Sequence, residues 1–149
     1  MRTLILGYGN PGRGDDGLGP ALVERLEFHG VAAVLETAMQ LQPEHIFDLA
    51  ACGRALLVDT GTGTPAPFTF EPLVPRRDAS FTTHALSPWM LLALYEETLR
   101  RPPPPAFLLT IRGERFGLGE ALSPAAVAHL GQAETFVHRW LADARAVPG

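Results

Sequence analysis

The 149-residue chain is 46% hydrophobic and 19% charged, with a formal charge of −4. That is the balance of a globule long enough to bury most of its surface, with no basic stripe for nucleic acid. All 12 cationic residues are Arg and Cys52 is the only cysteine; lysine Schiff-base and P-loop chemistry are excluded, as are an internal disulfide and a cysteine zinc site.

No apolar run approaches the ~20 residues of a membrane helix, and no charged n-region with a cleavage site precedes the first apolar run. The expectation is one domain over residues 1–149, cytoplasmic, with neither nucleic acid nor membrane as partner.

Strand-length apolar runs alternate with segments of helical period, the pattern of an α/β fold with a largely parallel, covered sheet. Residues 2–7 predict the first strand, and a helix starts near Asp16 or Gly17 with Leu18, Leu22, Val23 and Leu26 on one face. Residues 31–36 predict a second strand, and 43–52 a short helix with Ile46, Phe47, Leu49 and Ala50 inward. The run 55–58 predicts a third strand that stops at Asp59.

A long connection over 61–83 contains an alternating edge strand at 67–74. Ser87-Pro88 places a capping hydroxyl before a proline at the first helical position, and the helix continues over 89–99. Prolines at 102–105 break the chain ahead of a buried strand at 106–111. Ser123-Pro124 repeats the helix-start device; Val127, Leu130, Ala133, Phe136, Val137, Trp140 and Leu141 form the inward stripe of the last helix.

The turn after the first strand, Gly7-Tyr8-Gly9-Asn10-Pro11-Gly12, matches the GxGxxG of dinucleotide-binding turns, and Glu36 stands where a ribose-binding acid is expected. The match fails physically. A diphosphate needs a helix N-terminus inside the glycine run, yet Pro11 lacks an N–H and Asp15-Asp16 would face the anion.

A carboxylate offered to a cation fits better. Asp16 follows the first strand, Asp59 ends the third, and His84 precedes a helix, so the three make an O,O,N set suited to a divalent ion such as nickel or zinc. Each has a plainer reading: Asp15 or Asp16 as a helix cap, Asp59 in an Asx turn, His84 as a cap or surface residue. His29, His45, His129 and His138 are weaker candidates, on helix surfaces or the final helix.

At these positions the sequence resembles the nickel–iron hydrogenase maturation endopeptidases. The resemblance is carried by Leu6-Gly7-Tyr8-Gly9-Asn10-Pro11 with Gly14-Asp15-Asp16-Gly17, the apolar strand ending in Asp59, and His84 close to Ser87-Pro88. It implies a three-layer α/β/α sandwich around a twisted, mostly parallel sheet of about five strands. It also implies an activity: removal of the C-terminal extension of the hydrogenase large-subunit precursor.

Asp16, Asp59 and His84 would be the metal ligands, with Asp16 and Asp59 carrying the chemistry and Gly9, Asn10 and Gln40 touching the substrate. Nickel would arrive within the precursor, and zinc or cadmium would substitute for it. The ion would either polarise the scissile carbonyl or activate water, or serve only as a docking point for an aspartic general base.

One segment departs from the pattern: where many relatives carry Asp/His-Gly-Gly-Thr, this chain reads Glu36-Thr37-Ala38-Met39-Gln40-Leu41-Gln42-Pro43-Glu44. The alternatives are a Rossmann-like nucleotide-binding protein and a non-catalytic nickel chaperone.

Overall fold

Alternation within the strands sorts the core into two halves. On the first strand, β1 (Thr3–Tyr8), Leu4, Leu6 and Tyr8 face one side while Ile5 faces the other, because successive side chains of a strand point to opposite faces. In the computed structural model, which describes residues 2–82 and 85–143, β1 is followed by a 3-10 turn at Gly14–Gly17 and α1 (Leu18–Phe28). Then come β2 (Val34–Ala38), α2 (His45–Ala50), β3 (Arg54–Gly61) and β4 (Phe68–Leu73). A second 3-10 turn at Ala79–Thr82 leads to α3 (Pro88–Leu99), β5 (Ala106–Arg112) and α4 (Pro124–Asp143).

The sheet order is β2-β1-β3-β5-β4, with only β4 antiparallel. This is an α/β/α sandwich. Leu4, Leu6, Leu57 and Leu108 pack with Ile46 and Leu49 of α2 and Leu91, Leu92 and Tyr95 of α3. On the opposite face Ile5, Leu56, Val58, Leu109 and Ile111 pack with Leu22 and Leu26 of α1 and Leu130 and Val137 of α4.

The glycine at position 19 sets how closely α1 lies on the sheet. A Cβ there would stand 2.7 Å from the carbonyl oxygens of both Tyr8 and Val58.

Several boundaries differ from the sequence expectation. β2 begins at Val34 because residues 30–33 are used in leaving α1: the Gly30 amide donates to Glu27 and that of Val31 to Leu26. It runs on to Ala38, paired with β1 as far as Tyr8, and Glu36 sits inside the strand rather than at its tip. α2 buries only Ile46 and Leu49, and Phe47 points outward, 59% exposed. On α4 the fully buried stripe is Ala126, Leu130, Ala133 and Val137, while Val127 is exposed; the stripe lies one position off the predicted one at its start. Both Ser-Pro helix starts are as expected: the Met90 amide donates to Ser87 Oγ at 3.1 Å and that of Ala126 to Ser123 Oγ at 3.2 Å.

Candidate active site

The strand order reverses direction at β1. From β1 the chain crosses by α1 to β2 on one side, then by α2 to β3 on the other. In open α/β sheets a ligand crevice opens outside the carboxyl ends of the strands at such a switch point. β1 and β3 run parallel with Gly7 opposite Val58, so the next pair at the edge is Tyr8 and Asp59. Asp16 enters the same crevice from the turn that follows β1.

Asp16 is held by the glycine loop. Its Oδ2 accepts the Asn10 amide at 2.8 Å, and among the described residues no bond engages its other oxygen. Gly9, at φ +141°, makes this possible: a Cβ there would lie 2.0 Å from the Asp16 carbonyl oxygen. Asn10 closes the loop in turn, its Oδ1 accepting the Gly12 amide at 2.8 Å.

Asp59 is held in the same manner, with Oδ1 accepting the amide of Thr60 at 2.7 Å. Its carboxyl is pushed up to about 6, first by burial and also by the charge of Asp16. The Thr60 amide and the nearby Tyr8 hydroxyl pull in the opposite direction without offsetting these effects. That hydroxyl is buried and makes no hydrogen bond of full geometry among the described residues; burial first, then the charge of Asp59, raises the phenol well above its ordinary value.

Asp15, the neighbour of Asp16, has a different task. It is wholly buried, and its carboxylate accepts the amides of Glu114 at 2.7 Å, Arg115 at 3.0 Å and Ser123 at 2.7 Å, together with the Ser123 hydroxyl at 2.7 Å. Burial alone would raise its pKa, but these bonds outweigh it and hold the carboxyl below the usual range. Asp15 therefore ties the loop after β5 and the start of α4 to the loop after β1. It caps neither the 3-10 turn nor α1, which have no side-chain cap.

The structure thus brings Gly9, Asn10, Asp16 and Asp59 together. Gln40 is exposed just beyond the end of β2 on the same edge. His84 lies outside the described residues. Tyr8 is an addition to the residues read from sequence; its place as the last residue of a strand, on the same face as Asp59, is the signal that could have found it. Glu36 looks away from the edge: burial first, then the charge of Asp48, raises its carboxyl, while His45 lowers it.

The class is defined by this arrangement: an α/β/α protein with one aspartate on β3 at the switch point of its sheet and a second, close enough to raise the first, on the turn after β1. No protein-family model matches the sequence, and no curated protein matches it either. Solved structures do. The chain is similar to the hydrogenase maturating endopeptidase HybD from E. coli, with TM-score 0.75 and 21% identity over 97% of this chain and 94% of that one.

It is also similar to the [NiFe] hydrogenase maturation protease HycI from Thermococcus kodakarensis KOD1, with TM-score 0.72 and 20% identity over 94% and 92% of the two chains. The hydrogenase 2 maturation peptidase from Thaumarchaeota archaeon SCGC_AB-539-E09 gives TM-score 0.69 and 21% identity over 95% and 99%. The chain has the fold of the hydrogenase maturation proteases along essentially its whole length.

Proposed function

We propose that this protein is an endopeptidase that removes the C-terminal extension of a nickel-loaded [NiFe] hydrogenase large-subunit precursor. The observation that carries the reading is the Asp16–Asp59 pair. Each carboxylate has one oxygen fixed by a backbone amide, and the mutual repulsion that helps lift Asp59 to about 6 is relieved by a cation. Oxygen donors of this kind, completed by an imidazole from His84, suit a divalent first-row ion. Nickel is then cargo of the substrate, and Gly9, Asn10 and Gln40 line the approach of the precursor's tail.

A bound ion supplies Lewis acidity at a carbonyl or water. The chain's own contribution is a base. Asp16 and Asp59, each with one oxygen fixed by a backbone amide, are the carboxylates placed to take the proton from the attacking water.

Incubation of the protein with nickel-loaded precursor, followed by intact-mass measurement, tests the reading. The wild type shortens the precursor, whereas Asp16→Asn and Asp59→Asn leave it whole; a nickel chaperone would leave it whole in every case. Normal cleavage by both variants would overturn the assignment.

A further inference from the structure

At the opposite edge of the molecule, α1 and α4 bring a second donor set together. Glu134 and His138 are four residues apart on α4 and so share a face; His29 is the residue that closes α1. One Glu134 oxygen, Oε2, lies 3.1 Å from His29 Nδ1 and 3.2 Å from His138 Nε2. The three donor atoms fall within 4.8 Å of one another.

Ligands held at about 2.05 Å from one ion stand roughly 2.9 Å apart in an octahedron and 3.3 Å apart in a tetrahedron. The two contacts to Glu134 already have that spacing. α1 runs about 16 Å from the carboxyl edge to His29, so this set is separate from Asp16 and Asp59.

We propose that His29, Glu134 and His138 form a site for a divalent transition ion of the zinc or nickel type, which clamps the end of α1 to α4. Imidazole, carboxylate and imidazole are the donors such ions prefer.

The surroundings fit. Glu134 is mostly buried while both imidazoles are about half exposed, so the anion is prepared and an entry side is open. The His29 Nδ1–H donates to the Arg25 carbonyl at 2.8 Å; an ion taken by Nδ1 replaces that bond, the ring then carrying its proton on Nε2. The Arg25 guanidinium approaches the other Glu134 oxygen, Oε1, at 3.6 Å. It orients the carboxylate without occupying Oε2, and its own partial exposure lets it withdraw. A cleft of about 550 Å³, bordered by Gly30, Val31 and Arg54, adjoins His138.

Zinc titration of the purified protein, read by calorimetry, thermal unfolding and the histidine ring signals in NMR, tests the site. In the wild type, substoichiometric Zn²⁺ shifts the His29 and His138 signals while those of His45 and His129 stay in place, and the unfolding midpoint rises. His29→Gln and His138→Gln each weaken the binding that moves the remaining ring signal at least tenfold and reduce the rise in midpoint, whereas the Asp16→Asn/Asp59→Asn double variant retains the signal shifts and a rise. Zn²⁺ that leaves the wild-type His29 and His138 signals unmoved overturns the proposal without recourse to any variant, as does undiminished binding by the two glutamine variants.

Discussion

Asp15 and Ser123, 108 positions apart, are joined by two hydrogen bonds of 2.7 Å, one from the serine amide and one from its hydroxyl. The same hydroxyl accepts the amide of Ala126, so a single buried carboxylate supports the start of α4 and the turn that carries Asp16. Asp15→Ala leaves three amides and a hydroxyl without their acceptor in a dry place. Its expected cost is about 3 kcal/mol, or roughly 6–12 °C in the unfolding midpoint, whereas Ser123→Ala costs about 1–2 kcal/mol.

The Asp15 pKa is lowered on folding, so its contribution is fully present above the unfolded carboxyl value near pH 4 and is lost as pH falls through the folded one. Thermal melts of Asp15→Asn against wild type should show a gap that is wide at pH 7 and narrows in acid. A gap independent of pH would contradict the charged network.

Asp59 predicts the reverse. Its pKa is raised on folding to about 6, so between the unfolded value near pH 4 and pH 6 the native state binds more protons, and stability falls as pH rises. Above pH 6 the cost is fully present, on the order of 2–3 kcal/mol. Asp59→Asn should therefore melt several degrees higher than wild type at pH 8 and match it near pH 4, while losing processing. A catalytic carboxylate held against its own solvation has this signature; a merely structural one would destabilise when removed.

Much of this was legible beforehand because it follows from local rules. Strand-length apolar runs, the two Ser-Pro helix starts and the proline-rich break before β5 each depend on neighbours along the chain, and the edge position of β4 followed from its alternation. Asp16 was legible as a residue that follows a strand; Asp59, expected to end the third strand, instead lies within β3, which pairs on with β5 as far as Gly61.

What escaped the sequence depends on register and on distant partners. Asp15 and Asp16 are the same residue type in adjacent positions, and only the loop from β5 decides that the first is buried. Tyr8 becomes a neighbour of Asp59 only once Gly7 is set opposite Val58. His29, Glu134 and His138 meet because the end of α1 packs against α4, which no spacing in sequence reveals.

Gly9 tests how far the turn itself is part of the site. Its φ of +141° is disfavoured for any side chain, and a Cβ would collide with the Asp16 carbonyl at 2.0 Å. Gly9→Ala must push the 3-10 turn away from β1 and break the bond between the Asn10 amide and Asp16. The expected outcome is loss of about 1–3 kcal/mol in stability and a drop in processing of at least tenfold. Gly63→Ala is the control: it also has positive φ, but nothing lies within 4 Å, so its processing should stay normal.

The glycine turn also predicts what the protein will not bind. A pyrophosphate needs free amides, and those of this loop are committed: Gly9 to the Ala38 carbonyl, Asn10 to Asp16, Gly12 to the Asn10 side chain, and Arg13 to the Asn10 carbonyl. Pro11 has none, and α1 starts only after the two aspartates. Glu36, which the dinucleotide reading needs at a strand tip, lies within β2. NADH titrated to about 1 mM, equivalent to roughly −4 kcal/mol of affinity, should leave both its own fluorescence and the melting midpoint of the protein unchanged. Saturable binding in the micromolar range, weakened by substitution at Gly12, would mean that the loop can release these amides to an anion, and the carboxylate reading of the site would fall with it.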